Sequence, residues 1–152
     1  MTSISRLPFF LAVILLLPGC GLYWNQFGPE LNLYDGPKRE AHEVATIDQG
    51  ARCYTCVESI RHFDQEDPIY TVSPPGWEPA GSGLNRPNKI IVLPGKYLVT
   101  LEFSNAAGST GYVDLQPGHT YQVLNDFSSD FSKAFLWMED AETGEVLLGE
   151  KM

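Results

Sequence analysis

The sequence predicts an all-β protein, an antiparallel β-sandwich of about seven to nine short strands. Three observations carry this. From Glu43 onward the chain breaks into short runs rich in Val, Ile, Tyr and Phe, bounded by Pro-Gly, Asn or Asp turns. Between Lys96 and Phe103 the apolar residues alternate strictly, with Tyr97, Val99, Leu101 and Phe103 on one face and Leu98, Thr100 and Glu102 on the other. Beyond the first twenty residues no twelve-residue window holds a convincing 3.6-residue apolar period, except for one turn near Phe127 to Lys133.

Taken in order, Glu43 to Ile47, Thr55 to Ile60 and Pro68 to Val72 are the weaker strand candidates. Lys89 to Leu93 and Lys96 to Phe103 follow, and Pro94-Gly95 is expected to join them as a tight antiparallel hairpin. A second hairpin is expected where Gly111 to Gln116 meets Pro117-Gly118 and leaves through Tyr121 to Leu124. A third closes the chain: Phe135 to Glu139, the turn Asp140 to Gly144, then Glu145 to Leu148, with Gly144 free to take positive φ. Between Ser73 and Asn88 four prolines and three glycines predict a long exposed loop. Its Trp77 reads as a lid over the core edge or as a contact for a ligand or partner.

The first twenty residues carry a different signal. Arg6, the apolar run Leu7 to Leu17 and the small residue Gly19 have the form of a secretory signal, and the run is too short to span a bilayer. With Cys20 directly after Gly19, the segment Leu17-Pro18-Gly19-Cys20 resembles the lipobox of bacterial lipoproteins. That resemblance implies diacylation of the Cys20 thiol, cleavage after Gly19 and acylation of the new amino terminus, giving an anchor of two or more chains. Gly21, where Asp would signal inner-membrane retention in enterobacteria, implies the periplasmic face of the outer membrane, or the cell membrane in a host with only one. The expected organisation is a signal peptide over 1–19, a lipid-anchored segment over 20–40 and a β-sandwich over 41–152. Leu22, Tyr23, Trp24, Phe27, Leu31, Leu33 and Tyr34 make the anchored segment too apolar for a bare tether. It should pack on the domain, the membrane interface or a partner.

Removing residues 1–19 from the 152 leaves 133, enough for one domain with a real core. The removed part holds Arg6 alone of the ten cations and none of the nineteen acids, so the remainder carries a formal charge of -10. Such a surface repels nucleic acid and anionic headgroups, so membrane attachment has to come from the lipid.

With strands and lipobox both in view, the chain resembles small proteobacterial lipoproteins with a PEGA-like or transthyretin-like β-sandwich domain. Glu43-Val44-Ala45, Leu93 to Val99, Gln116 to Tyr121, Trp137, Asp140 and Thr143 to Val146 carry the likeness. It implies a fold and an address but brings no catalytic residues.

Cys53-Tyr54-Thr55-Cys56 is the one local motif with chemical potential. An even pair in an oxidising compartment normally forms a disulfide. A thiol redox site would want a helix N-terminus after a strand, and zinc would want ligands beyond the nearby His62. Val57 stands where a c-type haem motif needs His. Asp64, Glu66 and Asp67 lack EF-hand spacing, and no G-x-S-x-G occurs. His119, after a Pro-Gly turn, reads as a backbone-bonding side chain. The expected function is therefore a non-catalytic binding or scaffolding module, anchored through Cys20 and serving an envelope protein partner, with no cofactor beyond the lipid. The alternatives are a glycan or peptidoglycan-fragment module stacking sugars on Trp77, Tyr54 and Tyr112, and a thiol redox protein using Cys53 and Cys56.

Overall fold

The computed structural model describes residues 30–50, 55–71, 87–103 and 107–152. They form ten strands: β1 (Glu30–Asn32), β2 (Ala45–Asp48), β3 (Thr55–His62), β4 (Tyr70–Thr71), β5 (Lys89–Val92), β6 (Gly95–Phe103), β7 (Ala107–Leu115), β8 (Thr120–Phe127), β9 (Ala134–Asp140) and β10 (Val146–Gly149). A single 3₁₀ turn, Ala41–Glu43, leads into β2. One sheet has the order β1-β5-β2-β8-β9-β10 and the other β4-β3-β6-β7. The protein is an all-β sandwich, as the alternation predicts.

Period-two side chains line the space between the sheets. Ala45, Ile47, Ile90, Val92, Tyr121, Val123 and Met138 come from the six-stranded sheet, and Val57, Ile60, Tyr97, Val99, Leu101, Val113 and Leu115 from the other. Each fully buried aliphatic side chain contributes about 1.5–3 kcal/mol of transfer free energy. The predicted inward face of β6 is therefore realised, with Tyr97, Val99 and Leu101 essentially inaccessible.

Two of the three expected hairpins are not hairpins. Pro94-Gly95 does reverse the chain, but β5 pairs with β1 and β2 while β6 pairs with β3 and β7. Pro117-Gly118 likewise carries the chain from β7 in one sheet to β8 in the other. Among the described residues the hairpins are β3 with β4, β6 with β7, β8 with β9, and β9 with β10, of which only the last was expected. The reason is physical. A Pro-Gly reversal fixes a change of direction, but sheet membership is decided by which neighbours bury the flanking apolar faces. The turn of helix expected near Phe127 to Lys133 is also absent. Phe127 ends β8, and residues 128–133 form the tight loop into β9.

Strand β1 lies in the segment expected to link anchor and domain. It adds in parallel to β5, pairing Leu31 with Ile90, and Leu33 packs on the core. In β3, Val57 and Ile60 both point inward although three residues apart, because a bulge at Glu58 shifts the register between Val57 and Ser59. The N–H of Val57 donates to Gln49 Oε1 at 2.6 Å, and Gln49 Nε2 donates to the Pro87 carbonyl at 2.8 Å. Gln49 is only 3% exposed, so this side chain is a buried polar strut between the sheets.

Candidate functional site

Strand directions give the sandwich two dissimilar poles. One, here the distal pole, carries the β5–β6, β7–β8 and β9–β10 connections and the turn between β3 and β4. The other carries the β8–β9 loop, and β1 runs from its side of the sheet toward the distal pole, starting level with Gln122 of β8.

At the distal pole Phe63, Lys96 and Tyr112 gather on the outer face of the four-stranded sheet. Since Tyr97 points inward, its neighbours Lys96 and Leu98 point outward, and the register sets Leu98 opposite Tyr112 and Lys96 opposite Asp114. Phe63, just past β3, is held beside β6 by its N–H donating to the Lys96 carbonyl at 3.1 Å. The Lys96 ammonium lies 5.9 Å from the Phe63 ring centre and 5.5 Å from that of Tyr112. Such exposed cation–π contacts are each worth about 0.5–1 kcal/mol. Among the described residues Lys96 makes no ion pair. Phe63 is 57% and Tyr112 56% exposed, so two rings and one cation form a flat amphipathic platform.

Next to it a clamp ties the β7–β8 turn to the β9–β10 turn. His119 Nδ1 donates to Asp140 Oδ2 at 2.5 Å, while Asp140 Oδ1 accepts from the N–H groups of Glu142 at 2.8 Å and Thr143 at 3.0 Å. Asp140, the first residue of its turn, thus caps the turn and holds His119 at once. The His119 ring stacks on Tyr121 with centroids 6.3 Å apart, and the Tyr121 hydroxyl accepts from the Gln116 N–H at 2.7 Å. The hydrogen bond to Asp140 raises the His119 pKa above its ordinary value, against a smaller opposing effect of desolvation. Burial pushes Asp140 up, but the hydrogen bonds from His119, Thr143 and Glu142 outweigh it and hold the carboxyl below its ordinary value. A histidine oriented by a carboxylate is one part of a general-base arrangement, and no serine or cysteine is hydrogen-bonded to it among the described residues.

On the six-stranded sheet's outer face, Trp137 is buried, its Nε1–H donates to Glu139 Oε2 at 2.8 Å, and Lys151 bonds the same oxygen at 2.7 Å. These two bonds hold the Glu139 pKa below its ordinary value. Asp48, Gly50, Gln122, Val123 and Leu124 line a shallow groove of about 270 Å³ on this sheet. No group of three His, Cys, Asp or Glu side chains able to hold a metal occurs among the described residues.

Of the residues singled out from sequence, Cys20, Cys53, Tyr54 and Trp77 lie outside the described residues. Cys56 is in β3 opposite Glu102 and 1% exposed. Tyr112 is where a surface ring should be, but its companions are Phe63 and Lys96, which sequence reading missed. They meet only through strand register, 16 to 49 positions apart along the chain, so no local motif announces them. The Asp140 clamp did leave a trace, since Asp followed by Glu-Thr-Gly is turn-capping chemistry. Its bond to His119 depends on Tyr121 pairing with Asp140 across β8 and β9.

Fold and site together define an all-β sandwich with an aromatic–cationic platform at one pole. No family model matches the chain, and no curated protein or solved structure matches it.

Proposed function

We propose that the chain is a lipid-anchored, non-catalytic binding module of the bacterial envelope, held at the periplasmic face of the outer membrane by acyl chains on Cys20 after loss of residues 1–19. The observation that carries the reading is the Phe63–Lys96–Tyr112 platform. Exposed aromatic rings clustered on an outer sheet face match the aromatic enrichment of docking surfaces, and the Lys96 ammonium beside them makes no ion pair among the described residues. A structural disulfide between Cys53 and Cys56 belongs to the same proposal. It is supported by the burial of Cys56, only 1% exposed in β3, a position that suits a redox nucleophile poorly.

The platform is read first as a protein-docking face in a scaffolded assembly. Glycan binding is the second reading, favoured by the same rings, because Phe63 and Tyr112 are spaced by one lysine that could pair with a sugar acid.

The test places a photo-activatable phenylalanine analogue at position 112 of the full chain in intact envelopes, with Cys20→Ala as the unanchored control. A single defined protein adduct, lost in the control, supports the scaffolding reading. Adducts only with glycan overturn it in favour of the second reading, and adducts only with abundant bystanders overturn both.

A further inference from the structure

The pole opposite the platform, here the tether pole because β1 runs from its side, carries an exposed ring outside the buried core. Phe131 is 79% exposed and sits at φ 57°, the left-handed region that bulky residues avoid. The loop around it is tightly built. Asp130 Oδ1 accepts from Ser128 Oγ at 2.7 Å, from Ser132 Oγ at 2.8 Å and from the Ser132 N–H at 3.1 Å. Ser128 Oγ accepts from the Lys133 N–H at 2.9 Å, and the Phe131 N–H donates to the Ser128 carbonyl at 2.8 Å. The serine hydrogen bonds pull the Asp130 pKa down to about 2, so the network persists across the physiological range. Behind Phe131 its ring meets Phe127, centroids 6.0 Å apart, and Phe127 meets Phe103 at 5.4 Å. An exposed aromatic held in a strained conformation by a rigid loop is the pattern of a residue kept for contact rather than stability.

Register locates this tip relative to the chain's N-terminal side. Glu30 pairs with Lys89, Lys89 with Asp48 and Asp48 with Gln122, so β1 begins level with Gln122. Phe127 is five residues further along β8, about 17 Å, and three strand spacings separate β1 from β8 laterally, about 14 Å. The direct separation from Glu30 to Phe127 is therefore about 22 Å, and the Phe131 ring lies a further 6.0 Å from that of Phe127. Ten residue steps connect Cys20 to Glu30 and span at most about 33–36 Å. An acylated Cys20 can thus lie level with the Phe131 tip, and the distal platform then faces away from the membrane.

We propose that the tether pole docks on the lipid bilayer, with the Phe131 ring inserted beside the acyl chains as a second contact that orients the domain. The inference rests on the lipid-anchor reading above. Asp126 and Asp130 leave the pole acidic, and Lys133 is paired with Glu150 at 3.2 Å, so the contact is apolar and suits a zwitterionic surface. The anchor supplies a high local concentration, so one ring suffices to bias orientation.

The experiment reconstitutes the full-length protein in phosphatidylcholine–phosphatidylethanolamine vesicles bearing brominated acyl chains. Phe131→Trp is compared with Val146→Trp, at the exposed distal end of β10, and the mass of the N-terminal peptide is read separately for acylation. Bromine quenching of the added tryptophan at least twofold greater at 131 than at 146 is the expected result. An acylated protein with equal quenching at the two positions overturns the docking inference alone, whereas an unacylated Cys20 overturns the anchor reading and the inference with it. Labelling of lysines by a membrane-impermeant amine reagent gives an independent readout. Phe131→Ser should raise labelling of Lys133 about threefold and leave Lys96 unchanged, and no change at Lys133 overturns the docking.

Discussion

Replacing Gln49 tests how the two sheets are held in register. Its side chain supplies an acceptor to the Val57 N–H and a donor to the Pro87 carbonyl, and all three residues are buried. Gln49→Ala leaves one buried donor and one buried acceptor without these partners. At about 1–3 kcal/mol for each orphaned group, the loss should be about 2–6 kcal/mol. Local collapse or water entry lowers that figure, so a value near 3 kcal/mol is expected. Gln49→Glu is the sharper variant. Its carboxyl keeps the acceptor for Val57, and when protonated it can also donate to Pro87. Burial raises the carboxyl pKa in the folded state above the unfolded value of about 4.3, so the protonated form is favoured by folding. The stabilising contribution is then fully present below about pH 4.3 and is lost as pH rises through the higher folded pKa, at about 1.4 kcal/mol per unit of difference. Urea unfolding of parent, Q49A and Q49E between pH 4 and pH 8, at fixed ionic strength, measures this directly. If Q49A stays within about 0.5 kcal/mol of the parent, or Q49E gains stability with rising pH relative to the parent, the buried-strut account is wrong.

Three further outcomes are expected. The clamp of His119 on Asp140 should strengthen the fold chiefly in mild acid. His119 contributes below its unfolded pKa and loses its contribution as pH rises through the raised folded value, while Asp140 contributes above its unfolded pKa and loses it as pH falls through the depressed one. Asp140→Asn should therefore flatten the melting temperature between pH 5 and pH 8 relative to the parent, and an unchanged profile would refute the clamp. Gly149→Ala should destabilise by about 3 kcal/mol or abolish folding, because the backbone there is at φ 85° and an added Cβ would overlap the Leu136 carbonyl of β9. A melting temperature within about 2 °C of the parent would be evidence against this β9–β10 geometry. Phe63→Ser combined with Tyr112→Ser should leave the protein folded, at a cost of about 1–2 kcal/mol for the two lost cation–π contacts, and a loss above about 4 kcal/mol in urea unfolding would show that the rings support the core.

What the sequence disclosed and what it hid divide along a physical line. Strands such as β6 were legible because alternation is local: each residue's face follows from its neighbours two positions away. The bulge at Glu58 was not, since nothing in Val57-Glu58-Ser59-Ile60 marks where the extra residue falls, and the Gln49 acceptor lies eight positions upstream of Val57. Both Pro-Gly turns were found, yet the sheets they connect were misassigned. Val92 and Tyr97 fit one face of a single sheet as well as they fit facing positions in two. The candidate site was less legible still. Tyr112 was marked by being an aromatic in a half-buried strand, whereas Phe63 and Lys96 acquire meaning only once β3, β6 and β7 are aligned. Local chemistry reads out turns and faces, and sites assembled across register need the fold.

The same distinction bears on why the two poles differ in construction. The distal pole is closed by short turns whose polar groups are satisfied at close range: the Gly118 N–H donates to the Val44 carbonyl at 2.7 Å, the Thr46 N–H to His119 at 3.0 Å, and the Gly144 N–H to Asp140 at 2.8 Å. Such a pole changes shape little on contact, so a platform beside it is preorganised and loses little entropy when it binds. At the other pole the six-residue loop 128–133 is stiffened by its own serines around one strained, exposed phenylalanine, which is preorganisation of a single contact. A module fixed at one end and presenting a rigid face at the other needs its orientation restrained at the fixed end, because a flexible tether alone lets the face point anywhere within its reach. The proposed Phe131 contact supplies that restraint. If docking is removed by Phe131→Ser while the platform is intact, capture through position 112 should fall in intact envelopes but remain unchanged for the detergent-released protein. Equal losses in both settings would instead mean that Phe131 shapes the platform through the fold.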